Sequence, residues 1–302
     1  MALEIESQLD HAAPRAGLNV GRMRIFLAGA AGVIGRRATK LLIAHGHQVI
    51  GLARRPSPLL EELGAQVTVG DVYDRAALAG AVRAARPDVV MHQLTDLRDG
   101  DRAANARIRE QGTINLVEAA LDAGVQRIIA QSICWVYEPG ITPASEDIQL
   151  DLESSGARLD TVSAVATLEA NVQEAAEWVI LRYGMLYGPD TWYTVDGLMA
   201  QLAHRGELPA TADVTSFLHI DDAATAAVAS LDWPTGTVNI CDDEPASGYD
   251  WTPAFCKAVG APKPSISDTP RTPWARGADN HYAREELGWT PQWPSWRTGF
   301  AT

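Results

Sequence analysis

The stretch RIFLAGAAGVIGRRATKLLIAHGHQVIGLARR, residues 24–55, decides the fold. It begins with an apolar run suited to a short buried strand, Ile25–Ala28, followed by a glycine-rich turn. A helix that we expect to end near Gly46 comes next, and then a second strand, Gln48–Leu52. Strand, helix and strand at this spacing predict a parallel sheet of the doubly wound α/β type.

The same alternation continues along the chain. AQVTVGD, DVVMHQL and RIIAQSI predict further strands, and the segments around 76–85 and 101–123 predict helices. From about Gly188 the rhythm ends, and Pro, Gly and Trp become frequent. We therefore predict a flexible extension over 1–22, a Rossmann-type core over 23–187, and mainly a smaller substrate-binding lobe over 188–302, interleaved with late core elements.

The turn after the first strand has the form GxxGxxG. Glycines in this position let the backbone approach a pyrophosphate, whose charge is met by the helix N-terminus. The alternative is a tight turn without a ligand. The residues predicted to contact the cofactor here are Gly29, Ala31, Gly32, Val33, Ile34 and Gly35.

The end of the second strand indicates which dinucleotide binds. An NAD enzyme carries an acidic residue there for the ribose 2′-hydroxyl, whereas this chain has Arg54 and Arg55. Because a guanidinium pairs with a 2′-phosphate through parallel hydrogen bonds, NADP(H) is favoured over NAD(H). Two solvated arginines are the alternative. Asp71 and Val72, after the third strand, are predicted to contact adenine, although an aspartate there also suits a helix cap.

Six motifs in order resemble the extended short-chain dehydrogenase/reductases. After GxxGxxG come VVMHQL, IIAQSICWVYEP, LRYGMLYGPD, FLHIDDAATA and REELGWTPQ, so the resemblance covers roughly residues 23–291. It implies the same fold and cofactor class, with Gln93, Leu94, Tyr183 and Met185 as further cofactor contacts. In this family the positions of His92, His219, Tyr137 and Tyr187 usually hold structure, so none is our choice of proton donor.

The resemblance also predicts where the catalytic residues should be. Family members use Tyr-x-x-x-Lys on the helix after the fifth strand, with a Ser or Thr hydroxyl nearby. Here Ser163 stands at the tyrosine position, Thr167 at the lysine position and Ile133 at the hydroxyl position. Lysine occurs only at three distant positions, so no other register restores the pair: Lys40, Lys257 and Lys263.

Aliphatic hydroxyls do not titrate near neutral pH, so they cannot replace this acid. They can orient a carbonyl by hydrogen bonding, or they can simply make room for a bulky ligand. The candidates for a catalytic hydroxyl are Ser132, Ser163, Thr167 and Thr95. Of the nine tryptophans, several lie in the C-terminal half, where they suit either a flat polycyclic ligand or core packing.

Composition limits the partners. The formal charge is −13, which argues against nucleic acids and anionic membranes because both bind basic patches. Cys134, Cys241 and Cys256 have no metal-site or disulfide spacing. We therefore expect a cytoplasmic monomer or homodimer without a metal. The first 22 residues lack an apolar run of signal length.

Two functions remain open. The first is an NADPH-dependent ketoreductase of an aromatic polycyclic ketone, in which a neighbouring substrate phenol supplies the proton. Because it lacks the tyrosine, the chain resembles ketoreductases of the simocyclinone type from angucyclinone polyketide pathways. Its composition, poor in lysine and rich in alanine and arginine, is typical of a GC-rich source such as an actinomycete, which suits antibiotic biosynthesis. The second is a catalytically silent NADP(H)-sensing binding protein, similar to NmrA-like regulators.

Overall fold

A computed structural model describes residues 21–97 and 100–300. Most of the extension predicted over 1–22 therefore lies outside the described residues. The strands are β1 Arg24–Ala28, β2 Gln48–Ala53, β3 Gln66–Val69, β4 Val89–His92, β5 Arg127–Ile133, β6 Glu177–Tyr183, β7 Met185–Tyr187, β8 Val214–Thr215, β9 Phe217–His219, β10 Gly236–Ile240 and β11 Ala246–Ser247. The α-helices are α1 Val33–Ala44, α2 Pro58–Glu62, α3 Arg75–Ala85, α4 Arg102–Arg107, α5 Thr113–Asp122, α6 Gly156–Val172, α7 Leu198–His204, α8 Ile220–Ala229, α9 Gly248–Ala258 and α10 Trp296–Gly299.

The central sheet has seven parallel strands in the order β3-β2-β1-β4-β5-β6-β10. Its inner strands are apolar on both faces because helices cover both, as β1 and β4 illustrate. From β1 the chain adds β2 and β3 on one side and then β4, β5 and β6 on the other. At this switch point, between β1 and β4, a crevice forms at the carboxyl ends of the strands. The predicted Rossmann-type α/β fold is confirmed.

The two faces of the sheet are covered differently. On one face α1 packs against α8, and on the other α3, α5 and α6 pack side by side. Aspartates begin two of the helices: Asp74 accepts the amide of Ala77 and Asp101 accepts the amide of Ala104, each at 3.0 Å. Between α4 and α5 the helix widens into a π-helical turn, Ile108–Gly112, within the segment predicted as a single helix.

The residues after Tyr187 contribute to two regions. α8 and β10 belong to the main sheet and its cover, whereas α7, α9 and α10 surround a separate aromatic core. That core contains Tyr187, Tyr193, Phe217, Trp251, Phe255, Trp296 and Phe300. Four tryptophans are at most 8% exposed and therefore serve packing: Trp233, Trp251, Trp289 and Trp296. Arg37 of α1 forms an ion pair with Asp190, which follows β7, and another with Asp221 of α8.

Candidate active site

The glycine turn needs glycine at two positions because the backbone passes too close for a side chain. Gly29 has φ +88°, and a Cβ there would overlap the carbonyl of Gln93; a Cβ on Gly35 would overlap the carbonyl of Gly29. Gly32 begins α1, its amide donates to the Gly29 oxygen at 2.9 Å, and the first turn of α1 has no acidic residue. Ala31 and Gly32 are exposed, whereas Val33 is half-buried and Ile34 and Gly35 are buried. An exposed turn at a helix N-terminus fits a dinucleotide pyrophosphate.

Arg54 and Arg55 are exposed at the end of β2, where a 2′-phosphate would lie. Arg54 Nη1 lies 3.7 Å from the Asp96 carboxylate, which comes from the loop after β4. This carboxylate competes with a phosphate for Arg54. Asp96 was not among the predicted site residues, because a residue 42 positions away comes next to Arg54 only in the folded sheet.

The loop after β3 forms the neighbouring wall. Asp71 is exposed and accepts the amide of Tyr73 at 3.0 Å, so it closes a turn, and Asp74 takes the helix-capping role. Val72 is buried, and its carbonyl accepts a hydrogen bond from Asn115 at 2.9 Å. The Arg107 guanidinium stacks 3.9 Å above the Tyr73 ring.

The end of β4 is held by hydrogen bonds. His92 is fully buried, its Nε2 lies 2.8 Å from the Thr113 hydroxyl, and its Nδ1 accepts the Leu94 amide. Burial lowers the pKa of His92 to about 4, so the imidazole is neutral at pH 7. Gln93 donates to the Tyr183 hydroxyl at 3.4 Å, and the Leu94 carbonyl accepts from Gln131 at 2.7 Å. His92 therefore holds structure.

Of the candidate hydroxyls, Ser132 lies deepest. Its hydroxyl donates to the Glu169 carboxylate at 2.7 Å, and Arg182 binds both oxygens of the same carboxylate at 2.9 and 2.6 Å. All three side chains are buried. The proton of Ser132 is therefore bound to a carboxylate inside the protein. Glu169 was not among the predicted site residues; the signal for it was a glutamate between apolar positions of α6.

The other hydroxyls lie closer to solvent. Ser163 and Thr167 are half-buried on α6, and the Thr167 hydroxyl donates to the Ser163 carbonyl at 3.0 Å. Ile133, at the end of β5, packs against a small valine cluster that includes two residues of α6. Thr95 is exposed in the loop after β4. α6 contains neither tyrosine nor lysine.

Two of the named tyrosines are held inside the sheet region. Tyr137 donates to Asn239 at 2.5 Å and stacks with Arg182, and Tyr183 donates to the Ala223 carbonyl at 3.4 Å. Burial raises the pKa of both phenols. Each is at most 2% exposed, so neither side chain reaches the crevice as a ready proton donor.

The remaining predicted residues lie towards the aromatic core. Tyr187 is fully buried there, and burial raises the pKa of its phenol. Met185 is half-buried beside the same core. His219 accepts the Asp221 amide at 3.3 Å and thereby caps α8, and its ring lies 4.5 Å from that of Trp293. Tyr187 and His219 thus have structural contacts.

Within the described ranges, no group of three or more His, Cys, Asp or Glu side chains is arranged to hold a metal ion. The three cysteines are buried free thiols. In the same part of the chain, no helix is long and apolar enough to cross a bilayer.

Comparison with known proteins identifies the family of the chain. The family model described as "NAD dependent epimerase/dehydratase family" matches residues 25–241. The chain belongs to this family. A Streptomyces member named 3-diazoavenalumate denitrifying reductase is 43% identical over 303 residues, covering 92% of this chain and 99% of the relative. Family membership and this reductase relative together support an NAD(P)-dependent oxidoreductase.

Other members of the family differ in the chemistry their names describe. The UDP-glucose 4-epimerase of Mycolicibacterium smegmatis is 29% identical, covering 89% of this chain and 94% of the relative. The crystal structure of Bordetella bronchiseptica WbmG in complex with NAD and UDP superimposes with a TM-score of 0.74 at 24% identity, covering 93% of each chain. This structural likeness shows the shared fold.

Proposed function

We propose that this protein is an NAD(P)H-dependent reductase that replaces the diazo group of an aromatic substrate with hydrogen and releases dinitrogen. The observation that carries the proposal is the composition of α6, which has no tyrosine or lysine and whose Thr167 hydroxyl is bound to the helix backbone. A reaction suited to this site receives hydride without needing a proton from the protein. The diazo substrate class is supported by the name of the 43% identical relative.

The proposed reaction balances without a protein acid. When bound, the dihydronicotinamide supplies hydride, two electrons with one proton, to the aryl diazonium form of the substrate. The carbon–nitrogen bond breaks with its electron pair remaining on nitrogen, so dinitrogen leaves as a neutral molecule. The aryl carbon gains the hydrogen, and no group on the protein gains or loses a proton.

The described side chains suit this chemistry. The phenols of Tyr137, Tyr183 and Tyr187 are buried with raised pKa values, and His92 is neutral. Ser132 donates to Glu169. The protein's contribution is therefore to bind the dinucleotide at the glycine turn and to hold the substrate at the carboxyl edge of β4 and β5.

The proposal is tested with an arenediazonium carboxylate bearing an ortho phenol and NADPH deuterated at the transferred position. We expect one dinitrogen released for each NADPH oxidised, with deuterium at the former diazo-bearing carbon. Mass spectrometry measures the gas and the product. NADPH oxidation without dinitrogen release, or no oxidation at all, contradicts the proposal.

The same feature of α6 supports a second candidate, reduction of an aromatic polycyclic ketone. There a phenol beside the carbonyl, rather than the protein, would compensate the transferred hydride, as in simocyclinone-type ketoreduction. Single-turnover reduction of paired free and O-methylated ketones tests this, because methylation should abolish reduction. If neither substrate class is consumed and NADPH instead changes the binding of a protein partner, the chain is an NADP(H) sensor.

Removing the two helix hydroxyls should have little effect on catalysis. We expect Ser163→Ala and Thr167→Val to lower kcat by less than about 10-fold, whereas losing a general acid costs about 100- to 10,000-fold. Thr161→Val is the matched control, because Thr161 makes the same bond to the Ala157 carbonyl on another face of α6. A loss of about 100-fold or more at either position, absent in the control, would show that a hydroxyl takes part in the chemistry.

A further inference from the structure

A buried arginine lies on the helix that borders the crevice. Arg109 belongs to the π-helical turn between α4 and α5 and is 9% exposed. Four residues before it, Asn105 accepts the amide of Asp96 at 3.1 Å, and four residues after it, Thr113 contacts His92. This side of the helix therefore faces the end of β4 and the loop after it. Extra residues that widen a helix into a π turn occur frequently at functional sites.

The guanidinium of Arg109 has no hydrogen bond or ion pair with any residue in the described ranges, and its nitrogens keep some contact with solvent. Burial lowers its pKa to about 10, and the charge of Glu169 partly opposes this shift, so Arg109 remains protonated at pH 7. The Glu169 carboxylate, however, is already bound by Arg182 through both oxygens and by Ser132. Two buried guanidiniums thus share one carboxylate.

A largely buried positive charge without its own counter-ion is unfavourable, so this position suits an anion from outside the protein. The phosphates of the dinucleotide would lie at the glycine turn after β1. Arg109 is on the β4 and β5 side of the switch point, where the nicotinamide end of the cofactor, which has no phosphate, would lie. The missing anion therefore belongs to the substrate rather than to the cofactor.

We propose that Arg109 binds an anionic oxygen of the substrate, a carboxylate or a phenolate, and orients the aromatic ring for hydride transfer. This inference rests on the proposed function, because it places an aromatic anion in that site. The planar guanidinium suits the task, since it binds two oxygens or one oxygen through parallel hydrogen bonds and contacts flat rings. Substrates without the anionic oxygen should bind weakly.

The test measures binding, so it does not depend on turnover. The protein saturated with NADP⁺ is titrated calorimetrically with 4-hydroxycinnamate, its methyl ester and 4-methoxycinnamate. Arg109→Gln should raise the Kd of the ligand that carries the recognised anion by about 10- to 100-fold. Its Kd for the ligand in which that oxygen is methylated, and for NADP⁺, should change by less than about 2-fold. If Arg109→Gln leaves the Kd of the methyl ester unchanged, Arg109 recognises the carboxylate. If it leaves the Kd of 4-methoxycinnamate unchanged, Arg109 recognises the oxygen at the 4-position, which is a phenolate once ionised.

Two further variants separate anion binding from a structural role of Arg109. Arg102→Gln changes an exposed arginine on the same helical segment and should bind every ligand as the wild type does. Arg109→Met should raise the urea midpoint of unfolding, because it removes an unpaired buried charge, whereas loss of a structural arginine would lower it. If Arg109→Gln does not fold, Arg109→Lys replaces it in the titrations; it keeps the charge and should show a smaller loss for the same ligand.

The inference is overturned if the variants bind all three ligands as the wild type does, or if all three ligands lose affinity equally. It is also overturned if Arg109→Met lowers the unfolding midpoint. Failure of the denitrification assay with Arg109-dependent binding intact would refute the reaction and leave the anion site standing. Successful denitrification together with ligand binding that does not depend on Arg109 would refute only the anion site.

Discussion

Glu169→Ala should lower the free energy of unfolding by about 3–5 kcal/mol, the usual cost of removing one partner of a buried ion pair. Glu169 is 4% exposed and Arg182 is 6% exposed, so water cannot replace the lost carboxylate. The change also removes the acceptor of the Ser132 hydroxyl and the negative charge beside Arg109. Urea unfolding followed by circular dichroism measures the effect.

Two variants separate charge from packing. Glu169→Gln keeps the size of the side chain and an acceptor for Ser132, so a loss close to that of alanine would assign the effect to charge. Glu207→Ala is the exposed control, because both partners of its pair with Arg205 are at least half exposed. We expect it to cost below about 1 kcal/mol. A cost below about 1 kcal/mol for Glu169→Ala would mean that the buried network contributes little to stability.

Arg54→Ala should weaken NADPH binding by about 1.5–3 kcal/mol, or roughly 10- to 150-fold, because a charged hydrogen-bond partner of the 2′-phosphate is lost. NADH has no 2′-phosphate, so its affinity should hardly change. Fluorescence titration of both cofactors with the wild type and the variant measures the difference. Unchanged NADPH affinity in both Arg54→Ala and Arg55→Ala would contradict the preference for NADP(H).

Asp96 provides a second test of the preference for NADP(H). Its carboxylate lies 3.7 Å from Arg54, so it repels a 2′-phosphate and competes for the guanidinium. Asp96→Asn should therefore tighten NADPH binding and leave NADH binding nearly unchanged. Arg205→Ala is the control for Arg54→Ala, because it also removes one exposed positive charge, here at the end of α7.

Much of the fold follows from local patterns. The predicted strand Gln48–Leu52 is observed as Gln48–Ala53, and RIIAQSI forms β5 over the predicted residues. Such elements are predictable because a buried strand needs a short apolar run and a helix needs caps and spacing, all of which are visible in sequence. The segment predicted as one helix over 101–123 is interrupted by the π-helical turn, which spacing alone does not reveal.

The candidate site was predictable to a different degree in each part. The glycine turn and the arginines at the end of β2 belong to one strand–helix–strand unit, so their places at the carboxyl ends of β1 and β2 follow from sequence spacing. Their cofactor contacts stay predictions. Whether Ser132 is a usable hydroxyl depends on its partner Glu169, which lies 37 positions away on another element. The same holds for the pairing of Arg54 with Asp96.

The sequence by itself determined the parallel α/β fold, the glycine turn and the lack of tyrosine and lysine on the helix after β5, because each depends on residue type and local spacing. Only the tertiary structure decided which charged groups are paired. Burial sets the energy of a charge, and burial arises when distant elements pack together. For that reason Glu169 becomes bound by Arg182, whereas Arg109 is left without a partner among the described residues.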